Sequence, residues 1–71
     1  MDKDRISRCL EIILKATEEL YANLDDDYID YADYIGIIEE SAVEAFMDLN
    51  GRAGEDPEAI LDEILGENQE D

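Results

Sequence analysis

Histidine and tryptophan are absent from this 71-residue chain, cysteine and proline occur once each, and five basic residues stand against 22 acidic ones. Each shortage excludes something. One cysteine, Cys9, cannot close an internal disulfide, and the lack of histidine removes the commonest ligand of zinc, copper and iron. It also leaves a serine or cysteine nucleophile without its usual activating base, although carboxylates could still act as acids or bases. No glycine-rich phosphate loop or dinucleotide fingerprint occurs, and no apolar run approaches the roughly 18 residues of a membrane span. The opening Met1-Asp2-Lys3-Asp4-Arg5 is charged, with no signal-peptide core behind it, so the expectation is a cytoplasmic, non-catalytic protein without metal or cofactor. A chain this short has one core at most and commonly needs disulfides, metal or self-association, of which self-association is left.

What is abundant is negative charge, and it is unevenly placed. Residues 1–15 hold Lys3, Arg5, Arg8 and Lys15 against Asp2, Asp4 and Glu11, whereas residues 16–71 hold 19 acids and one cation, Arg52. No lysine follows Lys15. A net charge of −17 repels itself in a compact state, so it calls for a reason beyond solubility.

Periodicity predicts an all-α fold of three helices in a single domain, residues 1–66, followed by a disordered acidic tail, 67–71. The first helix, from about 3 to 24, has apolar positions Ile6, Leu10, Ile13, Thr17, Leu20 and Leu24 at steps of three and four, widened by Leu14 and Tyr21. Asp4 with Arg8 and Glu11 with Lys15 are i,i+4 pairs that should neutralise its cations locally. Asp25-Asp26-Asp27 supplies capping oxygens for a second helix ending at Asn50-Gly51, with Tyr28, Tyr31, Ile35, Ile38, Ala42, Phe46 and Leu49 as its core positions. Gly36 within it marks a close crossing or a bend. The short join predicts an antiparallel hairpin. Asp56-Pro57 starts a short C-terminal helix with Ile60, Leu61, Ile64 and Leu65 on its apolar side, and Gly66 stops it.

Three constellations bear on function. The cluster Asp25, Asp26, Asp27 and Asp30 fails the calcium-loop spacing, because Ile29 falls on a ligand position and Asp30 on the required glycine. Cys9, at the edge of the first stripe, reads as a half-buried structural thiol. Along the second helix, Asp26, Asp30, Asp33, Glu40, Glu44 and Asp48 fall within about 80° of one another, interrupted only by Ile37. Within each half of the stripe, neighbouring carboxylates stand about 4.5–6 Å apart along the axis, somewhat closer than successive phosphates of one DNA strand. Glu55, Asp56, Glu58, Asp62 and Glu63 could extend this ridge around the third helix. A solvated helical face explains polarity but not the single sign. Salt adaptation also selects acidic surfaces, yet nine isoleucines against one valine are unlike it.

The tyrosines recur with period three, and Tyr34 lies at the apolar border where it could join the ridge in a contact surface. Glu39 projects to the apolar side and needs a cation, Arg8 or Lys15 within the chain or one from a second subunit. Ile12 and Ile37, each among polar residues, are candidates together with Glu39 for a homodimer contact.

In overall character the chain resembles the small acidic inhibitors that mimic nucleic acid, including phage anti-restriction and anti-CRISPR proteins. That resemblance implies a basic, nucleic-acid-binding protein partner, engaged through Asp26, Asp30, Asp33, Tyr34, Glu40, Glu44 and Asp48, with neither direct nucleic-acid binding nor a membrane role. Two other classes use the same residues differently. One is a protein-interaction module, such as an immunity protein, antitoxin or chaperone, that neutralises a basic protein; the other is a structural or regulatory homodimer.

Overall fold

The computed structural model describes residues 2–66. Helix α1 spans Lys3–Asn23, α2 spans Tyr31–Leu49 and α3 spans Pro57–Gly66, with one 3₁₀ turn, Asp26–Tyr28, between α1 and α2. The fold is the all-α, three-helix arrangement that periodicity predicts, and no strand occurs among the described residues. The expected acidic tail, 67–71, lies outside them.

The helix ends follow from local chemistry. Asp2 opens α1 by accepting the Arg5 N–H on its carboxylate at 3.2 Å. At the far end of α2, Gly51 takes φ +71°, its N–H donates to the Asp48 carbonyl at 3.2 Å, and the Arg52 N–H donates to the Met47 carbonyl at 2.7 Å. These two bonds form a Schellman motif, which uses up orphan carbonyls and turns the chain towards α3. Asp56 starts α3, accepting the Glu58 N–H at 3.1 Å ahead of Pro57.

The start of α2 differs from expectation. Asp25 accepts the Asp27 N–H on its side chain at 3.1 Å and the Tyr28 N–H on its carbonyl at 3.0 Å. It therefore caps the 3₁₀ turn, and α2 begins only at Tyr31, with no side-chain cap from Asp30. Consecutive aspartates offer the backbone local side-chain acceptors in turn conformations, and that competition delays the helix.

Helices α1 and α2 lie antiparallel. The Asn50 side-chain amide donates to the Ser7 hydroxyl at 3.0 Å and to the Phe46 carbonyl at 2.8 Å, fixing one end of the hairpin. At the other end the Tyr21 hydroxyl crosses Gly36, where an added Cβ would stand 3.4 Å from it. Leu14, Ala42, Val43, Phe46 and Met47 receive Ile60 and Ile64 of α3 to form the core, with Leu10 and Leu61 packed against it. Thr17 is buried because its hydroxyl donates to the Leu14 carbonyl at 2.7 Å.

Burial on α1 is centred on a different line from the one the apolar stripe suggests. Ser7, Leu14 and Thr17 are buried, whereas Ile6, Ile13 and Leu20 of the expected core are exposed. The cause is α3, which covers only one side of the hairpin and draws the buried line towards Leu14. Tyr31 and Ile38, also expected in the core, stand exposed for the same reason, and Tyr28 stands exposed in the 3₁₀ turn ahead of α2. The three tyrosines instead pack along one another, with ring centroids 6.0 Å apart for Tyr28 and Tyr31 and 6.1 Å for Tyr31 and Tyr34.

Candidate functional site

The acidic ridge survives in part. Asp33, Glu40, Glu44 and Asp48 lie on α2 and are exposed. On a turn of about 3.6 residues they share the outer edge of the helix, turned away from Ile35, Ala42 and Phe46, which face α1. Asp26 leaves this ridge because it belongs to the 3₁₀ turn, and Asp30 sits at the cap rather than on the helical face. From Asp33 to Asp48 the four carboxylates extend over about 22 Å at the α-helical rise. Beyond Asp48 a shallow groove of about 520 Å³ is lined by Glu44, Met47, Asp48, Ala53, Glu55 and Pro57, so the acidic edge continues into the α2–α3 connection.

No cation of the described residues lies within 4.0 Å of the ridge carboxylates. The expected pairs Asp4–Arg8 and Glu11–Lys15 do not close to that distance either. Exposed side chains gain too little from such pairing to hold one geometry. The cation that does pair is Arg52, whose guanidinium reaches Glu55 at 2.9 Å and Glu63 at 2.8 Å. Hydrogen bonds to Glu63 and then Glu55 raise its pKa further, while Arg52 lowers that of Glu63. Arg52 thus fastens the connection to α3. Its spacing to Glu55 was open to view in the sequence; the contact with Glu63 needed the path of α3.

Glu39 is half-buried, and the expected pair with Arg8 or Lys15 within the chain does not form. Burial raises its carboxyl pKa, and the neighbouring Glu18 raises it again. Tyr21 is pushed up by burial and then by Glu39, Glu18 and Asp33. The hairpin therefore brings like charges together near Gly36. Arg8 lies towards the opposite end of α1, and Lys15, one turn before Glu18, does not come within 4.0 Å of Glu39.

Tyr34 is 65% exposed, on the side of α2 that neither α1 nor α3 covers. Ile12 and Ile37 are exposed on the outer edges of α1 and α2, pointing in opposite directions, so they do not share one surface with Glu39. Cys9 is an exposed free thiol rather than a half-buried one. No helix is long and apolar enough to cross a membrane, and no group of three potential metal ligands occurs among the described residues. Comparison with family models, curated proteins and solved structures gives no match to this chain.

Proposed function

We propose that this is a non-catalytic acidic binding protein that occupies the basic cleft of a nucleic-acid-binding protein and excludes nucleic acid from it. The observation that carries this reading is the outer edge of α2, where Asp33, Glu40, Glu44 and Asp48 project over about 22 Å with no cation of the described residues within 4.0 Å. Unpaired carboxylates on a rigid helix are already oriented, so a basic partner gains charge-assisted contacts without first breaking internal ion pairs. The acidic groove at Glu44, Asp48 and Glu55 offers a recess for an arginine or lysine side chain. Neutralisation of a basic protein without nucleic-acid mimicry is the second reading. Exposed Tyr34, its ring tilted against that of Tyr31, favours it by offering an aromatic anchor beside the acids.

Affinity capture from a bacterial lysate, the setting the resemblance implies, tests both against a variant with Asp33, Glu40, Glu44 and Asp48 changed to lysine. The wild type should retain a nucleic-acid-binding protein that the variant, with unchanged helical content, does not. Equal retention by both chains would eliminate the acidic edge as the binding surface.

A further inference from the structure

The side of the hairpin opposite α3 is apolar and carries no charge. On α1 it comprises Ile6, Cys9, Ile13, Ala16 and Leu20, and on α2 Tyr31, Tyr34, Ile38, Ser41 and Ala45; all ten are exposed. Both series advance by three and four residues, the spacing of a helix-packing seam. Ser7 meets Asn50 and Tyr21 meets Gly36, so Leu20 lies level with Ile38, Ala16 with Ser41, and Ile13 with Ala45. Relative to the line where α1 and α2 meet, both series turn to the same side, whereas Leu14, Val43 and Met47 turn to the other and receive Ile60 and Ile64. Ten charge-free positions on one surface are conspicuous in a chain that is 38% charged.

We propose that this surface is a homodimer interface at which a second copy completes an antiparallel four-helix bundle. Two helices about 10 Å apart and about 30 Å long present roughly 600 Å², the lower end of what each partner buries in a stable protein interface. Charge selects a copy of the same chain and its orientation. The outer edge of α1 carries Arg5 and Arg8 against Glu19, whereas Lys15 turns towards the α3 side with Asp4 and Glu11, and the outer edge of α2 carries the four acids. A twofold axis parallel to the helices lays α1 antiparallel on the partner's α2. It also aligns the basic end of one edge with the acidic edge of the other copy, setting Arg8 level with the partner's Asp48. An axis across the helices would instead set acidic edge against acidic edge, which like-charge repulsion disfavours. Each composite edge keeps a net negative charge, so the dimer presents two acidic edges. A separate basic protein would find no charge to recognise on the apolar face itself, and the dimer withdraws Tyr34 from the second reading of the function, leaving the acidic edge to the first.

Sedimentation equilibrium of the full chain up to about 100 μM, a range that covers interfaces of this size, should give twice the 8.1 kDa chain mass. Ile13→Glu and Ile38→Glu should each give monomers that retain helical circular dichroism, whereas Ile12→Glu and Ile37→Glu on the outer edges should remain dimeric. Arg8→Glu should weaken the dimer roughly fivefold, and adding Asp48→Arg should restore it. A monomeric wild type, or a dimer that survives both face substitutions, would overturn the proposal; failure of the charge swap to rescue would overturn the orientation. None of these measurements requires the binding partner, so their failure leaves the acidic-edge reading standing.

Discussion

Replacing Ile60 by alanine measures how far the fold depends on α3. Ile60 is 0% exposed and packs into the cluster that holds Leu14, also 0% exposed. Removing its buried methyl and methylene groups loses their transfer energy and leaves a cavity at the junction of all three helices, which typically costs 2–5 kcal/mol. A value of about 3 kcal/mol is expected, since a helix of ten residues can partly collapse onto the gap. The whole domain holds about 4–11 kcal/mol at ordinary stability per residue, so one side chain would carry a large share of it. In a domain of this size the loss corresponds to a fall in melting temperature of roughly 12–24 °C. Urea titration followed by circular dichroism, at one fixed protein concentration, reads it directly. Ile12→Ala is the control, because Ile12 is 58% exposed and should change stability by less than about 0.5 kcal/mol. An Ile60→Ala variant within about 1 kcal/mol of wild type would refute the packing of α3 on the hairpin.

Further outcomes follow from the same geometry. Glu39→Gln should raise stability at neutral pH. An acid whose folded-state pKa lies above its ordinary 4.5 disfavours the fold once ionised, so the advantage should grow as pH rises from 4.5 through the folded value and vanish below it. A difference that does not change with pH would rule out this cause. Gly51→Ala should cost about 1–2 kcal/mol because φ is +71° there, whereas Gly36→Ala should gain up to about 1 kcal/mol through helix propensity, its Cβ meeting the Tyr21 hydroxyl at ordinary contact distance. Thermal melts of the two variants should therefore shift in opposite directions. Arg52→Gln should lower the melting temperature less than Ile60→Ala does, and most of its effect should disappear in high salt, since both of its ion pairs are partly exposed.

Helix identity and most helix ends were legible in the sequence because they rest on local chemistry. Asp2, Asn50-Gly51 and Asp56-Pro57 act within one turn of where they stand. Two features were not legible. Asp25 could cap either an α-helix or a tighter turn, and its bonds to Asp27 and Tyr28 decide for the turn, removing Asp26 from the ridge. Burial was harder still, because α1 has apolar residues over more than half its circumference. Which half is buried depends on where α3 lands, and α3 lands on Leu14 rather than on Ile13. The same choice exposes Tyr31 and Ile38. Four ridge acids were readable because they occupy a regular helix and face away from α1. Glu39 was readable as misplaced, but its neighbour, Glu18, emerged only from the hairpin register.

The measurement closest to the central claim is the affinity of this chain for its captured partner, followed from about 50 to 200 mM salt and in competition with the partner's nucleic acid. Binding through the carboxylate edge predicts mutual exclusion with nucleic acid and a loss of roughly tenfold or more across that range. A ternary complex with nucleic acid, or an affinity indifferent to salt, would contradict it.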